Sequence, residues 1–568
     1  MNSFRQRWLG FRAVAFSLIY VVVSGGIFTK IQAQDPALPD WPESLRMEIG
    51  RTDAGLPLIA YGDRTAFQPD INQRLVLLTI PQTASKAETI SRLGLAAAFR
   101  QRIIRTLDPQ ARCLVVVLPE AQFPPQGPAY HTTGQRTAAA LWRALAWLGV
   151  DSVVEGLEEE TPPGGSESLF GALNAQEIPG FGKIPAVQLS LPQWKASLEQ
   201  LSTEKKWKES LLALLTPGQH SKVRQEFNRR RARTPQQVVE ELLEIYGHQL
   251  SNVMYQPALA LIARRRFDAI QGKETPAPEV GRVLEPYLKR GVLPANVNGS
   301  VIAGHLVFAD WALATKDPRA VALVQRAANV GFDAAGEPLP AMPSHYEMSD
   351  AVFMGCPILT SAARLTHDQK YLDQFARHLE FIQKLDLRGD GLYRNSPLCD
   401  AAWGRGNGFP MLGLALSLTD LKAIQVDKDS SAEMRASAKQ LFEKTRADIQ
   451  HHAAALLKHQ DLTGMWRQVI DEPSAYREMT ATCMIGFALQ RGVNEKWLDR
   501  ATFQPVVDRA WQAVLPRIGS DGILLDVCTG TGKQKSLQGY YDRTAIFGVD
   551  ERGGAMALIF AVERLAKK

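Results

Sequence analysis

Two kinds of apolar pattern divide this chain. Segments 74–80 and 113–118 are short, unbroken apolar runs, the pattern of strands buried on both faces. Segments 151–155 and 184–189 read as further strands, and 90–104 and 137–148 carry helical spacing between or after them. Alternation of this kind predicts a mostly parallel sheet in an α/β domain over residues 34–228. Further on, the period is helical throughout. Helices are predicted at 236–246, 256–270, 301–315, 320–330, 351–365, 369–385, 410–421, 431–457, 480–491, 503–514 and 553–566, with no alternating run between them. The expected fold is therefore multidomain, with an all-α domain over residues 235–568. Periodicity alone says only that this second domain has many helices.

The join is marked by composition. Arg229-Arg230-Arg231-Ala232-Arg233 reads as a solvated basic linker over residues 229–234. Thr234-Pro235-Gln236-Gln237 then has the composition of a capping box with Pro at the first helical position. A length of 568 residues exceeds one compact core, which agrees with two domains. Composition is ordinary, 45% hydrophobic and 22% charged. The net charge of +6 permits attraction of polyanions such as uronic-acid glycans. No basic stripe with interleaved aromatics is present, which argues against nucleic acid.

The N-terminus reads as an export signal. Arg5, Arg7 and Arg12 precede an apolar run over residues 13–28, and Ile31-Gln32-Ala33 supplies a cleavage site after Ala33. This predicts a periplasmic or secreted protein that meets the membrane only through its signal, with an uncleaved anchor as the alternative. The five cysteines are odd in number and widely spaced, so they form no disulfide framework and no CxxC metal pair.

Candidate chemistry lies in Cys399-Asp400-Ala401-Ala402-Trp403-Gly404-Arg405-Gly406-Asn407-Gly408-Phe409-Pro410. Glycine admits close approach to the backbone. An indole suits a sugar ring, and a guanidinium suits a carboxylate. Together they suggest a pocket for an acidic sugar, although buried Trp and Gly-rich turns also occur for packing alone.

Asp390-Gly391-Leu392-Tyr393 with Trp403-Gly404-Arg405-Gly406-Asn407-Gly408 resembles the unsaturated rhamnogalacturonyl hydrolases and their unsaturated glucuronyl hydrolase relatives, glycoside hydrolase families 105 and 88. Asp350-Ala351-Val352-Phe353-Met354-Gly355-Cys356-Pro357 resembles their D-x-x-F-M-x-x-P helix. Gly464-Met465-Trp466-Arg467-Gln468-Val469, followed by Tyr476, Glu478 and Thr480, resembles a later G-x-W-x-Q-V segment. The resemblance covers about residues 235–568. It implies an (α/α)6 barrel, no cofactor, no metal, and an acidic oligosaccharide substrate carrying a C4–C5 double bond. The family protonates C4 through an aspartic acid and adds water at C5.

Asp350 matches the acid/base position; a helix cap is its structural alternative. The implied substrate contacts are Trp403 for stacking, Arg405 for the carboxylate, and Asn407, Phe409, Asn395, Trp466, His345 and Asn298 for the remaining walls. The chain departs from the family pattern twice. Where relatives carry a second aspartate, residues 296–305 hold Asn298 and no Asp, and Arg394-Asn395 replaces a His after Gly-Leu-x. These losses leave an alternative open, a weak or inactive protein that binds acidic oligosaccharides.

The N-terminal region weakly resembles zinc carboxypeptidases in Glu48-Ile49-Gly50-Arg51-Thr52-Asp53-Ala54-Gly55-Leu56-Pro57-Leu58 and Leu141-Trp142-Arg143. The zinc chemistry does not carry over. A catalytic zinc needs about three protein ligands, and neither His131 nor His220 has Glu three residues on.

Overall fold

The computed structural model describes residues 41, 43–68, 73–119, 121, 123, 135–159, 168–199, 206–218, 220–273, 277–344 and 347–566. The export signal expected at 1–33, His131 and His345 lie outside the described residues.

The N-terminal region is built on a six-stranded sheet of order β1-β2-β4-β3-β5-β6. Its strands are β1 (Ser44–Arg51), β2 (Pro57–Asp63), β3 (Leu75–Pro81), β4 (Arg112–Leu118), β5 (Ser152–Leu157) and β6 (Ala186–Ser190). Strands β4-β3-β5-β6 run parallel, in register Leu77 to Leu114 and Leu77 to Val153. Both faces are buried, one under the Arg136–Leu148 helix and the other under the Lys86–Phe99 helix, so the continuous Val and Leu runs have no solvent side. Sequence reading missed β1 and β2, which pair antiparallel. Only alternate residues of β1 are apolar, a half-buried pattern that continuous-run reasoning passes over.

The C-terminal region closes a ring. Going round it, Tyr255–Ile270 packs on Gly299–Gly304 and Leu306–Thr315, and these on Ala351–Thr366. Next come Gly404–Val426, Met479–Asn494 and Glu551–Leu565, and the last packs back on Tyr255–Ile270. Outside lie Pro235–Leu243, Pro278–Arg290, Pro318–Asn329, Lys370–Asp386, Ala432–Leu457 and Arg500–Val514. Two layers of six helical positions result, which agrees with the expected barrel. The Pro278–Arg290 helix was not predicted; its buried stripe is only Val280, Leu284 and Leu288. Also unpredicted was the hairpin of β7 (Leu524–Cys528) and β8 (Ala545–Gly548). Leu524 and Val527 enter the ring core, while Leu525 enters the sheet core.

The basic segment is not a solvated linker. It continues the Lys222–Arg231 helix, and the Thr234 capping box forms as expected. Arg230 is 1% exposed and donates to the carbonyl oxygens of Pro516 and Gly180. Arg233 is buried on the carbonyl oxygens of Leu515 and Ile518 and pairs with Glu241. These arginines satisfy the carbonyls that end the Leu515–Arg517 turn, and so weld sheet to ring. Arg143 and Arg517, from the two regions, share the buried Asp526 of β7 at 3.0 and 3.2 Å. Accordingly, residues 35–568 form one compact unit rather than two separated by a tether.

Candidate active site

Asp350 precedes the Ala351–Thr366 helix, yet it does not cap it. Its backbone is already helical (φ −52°, ψ −30°) and its side chain accepts no capping hydrogen bond. The carboxyl is 4% exposed and its Oδ1 has no hydrogen-bond partner. Burial pushes its pKa up to about 7, against the opposing pull of the Arg405 charge. His378 fixes the turn beneath it. Met342 N–H donates to His378 Nδ1 (3.2 Å), which leaves Nε2 to donate to the Ala351 carbonyl (2.8 Å). Burial lowers the His378 pKa to about 4, so the ring stays neutral in this role.

A second acid, unseen in the sequence, lies nearby. Asp386 ends the Lys370–Asp386 helix, is 0% exposed, and has no hydrogen bond to either oxygen. Arg394 Nε is 3.8 Å from Oδ1. Burial raises the Asp386 pKa to about 7, and the Asp350 charge adds to the rise. The backbone explains the juxtaposition. Arg394 N–H donates to the Asp386 carbonyl (3.0 Å), and Ser349 N–H donates to the Asn395 carbonyl (3.1 Å). Asp386 and Asp350 thus border the same two-residue stretch, Arg394-Asn395. The sequence signal was slight: an Asp at the end of a helix, where its charge opposes the macrodipole.

The Gly-rich stretch is helix, not loop. The Gly404–Val426 helix begins six residues before the predicted start, and its glycines are covered by protein. A Cβ on Gly404 would meet Arg467 O at 2.6 Å; one on Gly406 would meet Ser349 Oγ at 2.9 Å and Asn395 Oδ1 at 3.0 Å. The glycines therefore serve close packing, and the packing at Gly406 brings Asn395 and Ser349 to Trp403.

Trp403 is 1% exposed, with its ring 6.4 Å from Tyr540 and the Arg405 guanidinium 4.8 Å from the ring centre. Its Nε1 has no partner. Asn395 donates through Nδ2 to the Tyr540 hydroxyl (2.9 Å), while its Oδ1 is unpaired. Asp350, Trp403, Arg405 and Asn395 thus lie together, and Asp386, Ser349 and Tyr540 join them.

Other expected contacts are corrected. Arg405 does not offer a free fork: Nη1 donates to Cys528 O and Nη2 to Thr529 O, the latter at 2.7 Å. It remains a buried cation beside Asp350. Asn407 is fully used by the backbone, accepting from Tyr393 N–H and donating to Tyr393 O and Trp403 O. Phe409 is core, stacked 5.6 Å from Phe353. Trp466 is core too, its Nε1 donating to Leu456 O at 2.8 Å. Asn298 is an exposed helix cap that accepts from Val301 N–H at 3.1 Å. Among the described residues all five cysteines are free thiols.

Residues 300–568 match the sequence model of Glycosyl Hydrolase Family 88. It is 29% identical over 197 residues to the unsaturated 3S-rhamnoglycuronyl hydrolase of Formosa agariphila, covering 30% of this chain and 47% of that one. The enzyme of the same name from an Alteromonas species is 29% identical over 188 residues, 31% of this chain and 42% of its own. The chain thus spans under half the length of these two relatives. Among solved structures, a possible GH105 member from Klebsiella pneumoniae aligns with a TM-score of 0.48 and 17% identity, over 58% of this chain and 92% of that one.

Proposed function

We propose that the helical ring hydrolyses unsaturated uronyl oligosaccharides, with Asp350 as the proton donor and acceptor. The observation that carries this reading is a buried carboxyl with an unpartnered oxygen, its pKa raised to about 7, beside an indole and a buried guanidinium. A carboxyl in that range holds a proton to give and can take one back near neutral pH. The neutral Asp350 delivers its proton to C4 of the substrate. Water adds its oxygen to C5 and returns a proton to the Asp350 carboxylate, so the acid is regenerated. The C5 hydroxyl product is a hemiketal, whose opening releases the aglycone.

Asp386 supplies the second carboxyl that residues 296–305 lack. When ionised, it favours a proton on Asp350 by like-charge repulsion. Arg405, held by two carbonyls, opposes that rise and keeps the Asp350 carboxylate accessible as an acceptor. The site is enclosed, and the exposed Lys533–Glu347 pair (3.1 Å) joins the loop after β7 to the loop before Asp350. The names of the relatives favour a rhamnoglycuronyl substrate. The basic and apolar start of the chain favours export, with cleavage after Ala33.

The test is the enol-ether absorbance of lyase-generated disaccharides. Wild type should remove it and Asp350→Asn should not. Saturable binding with unchanged absorbance would replace the enzyme with an acidic-oligosaccharide binder.

A further inference from the structure

A cleft lies where the sheet region meets the ring, and Asp350 is not part of its lining. Its N-terminal wall is the end of β1 and the Arg136–Leu148 helix; its other wall is Ser474–Tyr476, the short Leu537–Tyr541 helix and β8. Four arginines line it, Arg51, Arg136, Arg143 and Arg543, against one carboxylate, Asp542. Two of the four are ion-paired: Asp542 pairs with Arg136 at 2.7 Å, and Asp526 behind the wall pairs with Arg143 at 3.0 Å. Among the described residues, Arg51 and Arg543 are in no ion pair with a carboxylate. Arg543 donates to Gly530 O and Thr531 Oγ1. Arg51 donates to Gly55 O, its Nε has no partner, and its guanidinium lies 4.0 Å over the Tyr541 ring.

We propose that this cleft binds an acidic sugar unit, carboxylated or sulfated, so that the N-terminal region forms part of the glycan-binding surface. The proposal rests on the uronyl-glycan reading above. Surplus guanidinium charge recognises the anion. Tyr541 and Tyr476 hold the Arg51 and Arg143 guanidinium groups over their rings, at 4.0 and 5.4 Å, and so fix the cations in the wall. Gly50 makes the wall possible, because a Cβ there would lie 2.5 Å from Ala140 Cβ and would force β1 away from the helix. The Leu537–Tyr541 helix links the cleft to the acid site: Tyr540 accepts from Asn395 on one side, and Tyr541 lies under Arg51 on the other. A glycan longer than a disaccharide thus has a second charged anchor across that helix.

The test is calorimetric titration of the full chain with a saturated uronate tetrasaccharide, a sulfated tetrasaccharide and a neutral tetrasaccharide of equal length. Saturated sugars are not substrates, so the result does not depend on turnover. The expected result is binding of an acidic sugar, weakened at least tenfold by Arg51→Ala and by Arg136→Glu and weakened by salt, with no binding of the neutral sugar. The two acidic arms tell carboxylate from sulfate recognition. Arg136 is partly exposed, so Arg136→Glu decides the matter if Arg51→Ala fails to fold. Acidic-sugar affinity equal in wild type and both variants, or neutral sugar bound as tightly, overturns the proposal. Arg51-dependent binding without any loss of enol-ether absorbance would keep the cleft and remove the hydrolase reading.

Discussion

Asp151 in the sheet region and Asp386 in the ring are equally buried, at 1% and 0% exposure, yet their surroundings differ. Asp151 Oδ2 accepts from Leu75 N–H (2.9 Å) and Arg224 Nε (3.2 Å). Its Oδ1 accepts from Ser221 N–H (3.1 Å) and lies 3.0 Å from His220 Nδ1. Asp386 accepts nothing, with one guanidinium at 3.8 Å. A folded chain normally saturates a buried carboxylate, as it does at Asp151. Burial alone therefore does not set a carboxyl apart; what distinguishes Asp350, Asp386 and Asn395 is that unpaired oxygens recur in one neighbourhood.

The contrast breaks most readily at Asp350. Asparagine there preserves shape and removes the titrating proton. Turnover should fall by about 10²–10⁴-fold, while the circular dichroism stays close to wild type and stability matches wild type at pH 4 and exceeds it at pH 8, because the Asp350 pKa is raised to about 7. Retained turnover would mean that an unsaturated buried acid is mere tolerance in this fold. At Asp151 the expectation inverts. Asp151→Ala leaves Arg224, itself 0% exposed, without its partner. The loss should be about 3–5 kcal/mol in denaturant unfolding, with activity per folded molecule unaltered.

Asp386 sharpens the comparison through pH. Its folded pKa, about 7, lies above the ordinary carboxyl value of about 4. Its stabilising effect is thus fully present below pH about 4 and is lost as pH rises through about 7. Asp386→Asn should match wild type at pH 4 and exceed it at pH 8, by on the order of 2–4 kcal/mol in urea unfolding. The same change removes a negative neighbour from Asp350, so the basic limb of the rate profile should move to lower pH. An unmoved limb would reduce Asp386 to a structural group.

The sequence showed the ring's helices and the parallel strands because each buries a long periodic stripe. It showed Asp350, Trp403 and Arg405 because short motifs surround them. It concealed Asp386, whose importance lies in what does not touch it; no periodicity records an unfilled lone pair. It concealed the welding arginines for the converse reason. Arg229-Arg230-Arg231-Ala232-Arg233 has the composition of a solvated run, and only the buried carbonyl oxygens of Leu515, Pro516 and Ile518 make Arg230 and Arg233 interior. Arg405 shows the limit of motif reasoning. The guanidinium is at the site, but its fork is closed by two carbonyls that are over a hundred residues away in sequence.

The smallest expected effect concerns Asn298, in the segment where the family resemblance led us to expect an acid. Here its Oδ1 accepts from Val301 N–H and caps the Gly299–Gly304 helix. Loss of such a cap costs about 1 kcal/mol, so Asn298→Ala should lower stability by that amount in urea unfolding and leave disaccharide turnover within a factor of two. A hundredfold loss of turnover with unchanged stability would place Asn298 among the reacting groups. The second acid would then be missing, not relocated, and the role given to Asp386 would fall with it. If turnover holds in Asn298→Ala and the pH limb moves in Asp386→Asn, the proton-sharing pair has shifted from one inner element of the ring to the end of an outer one.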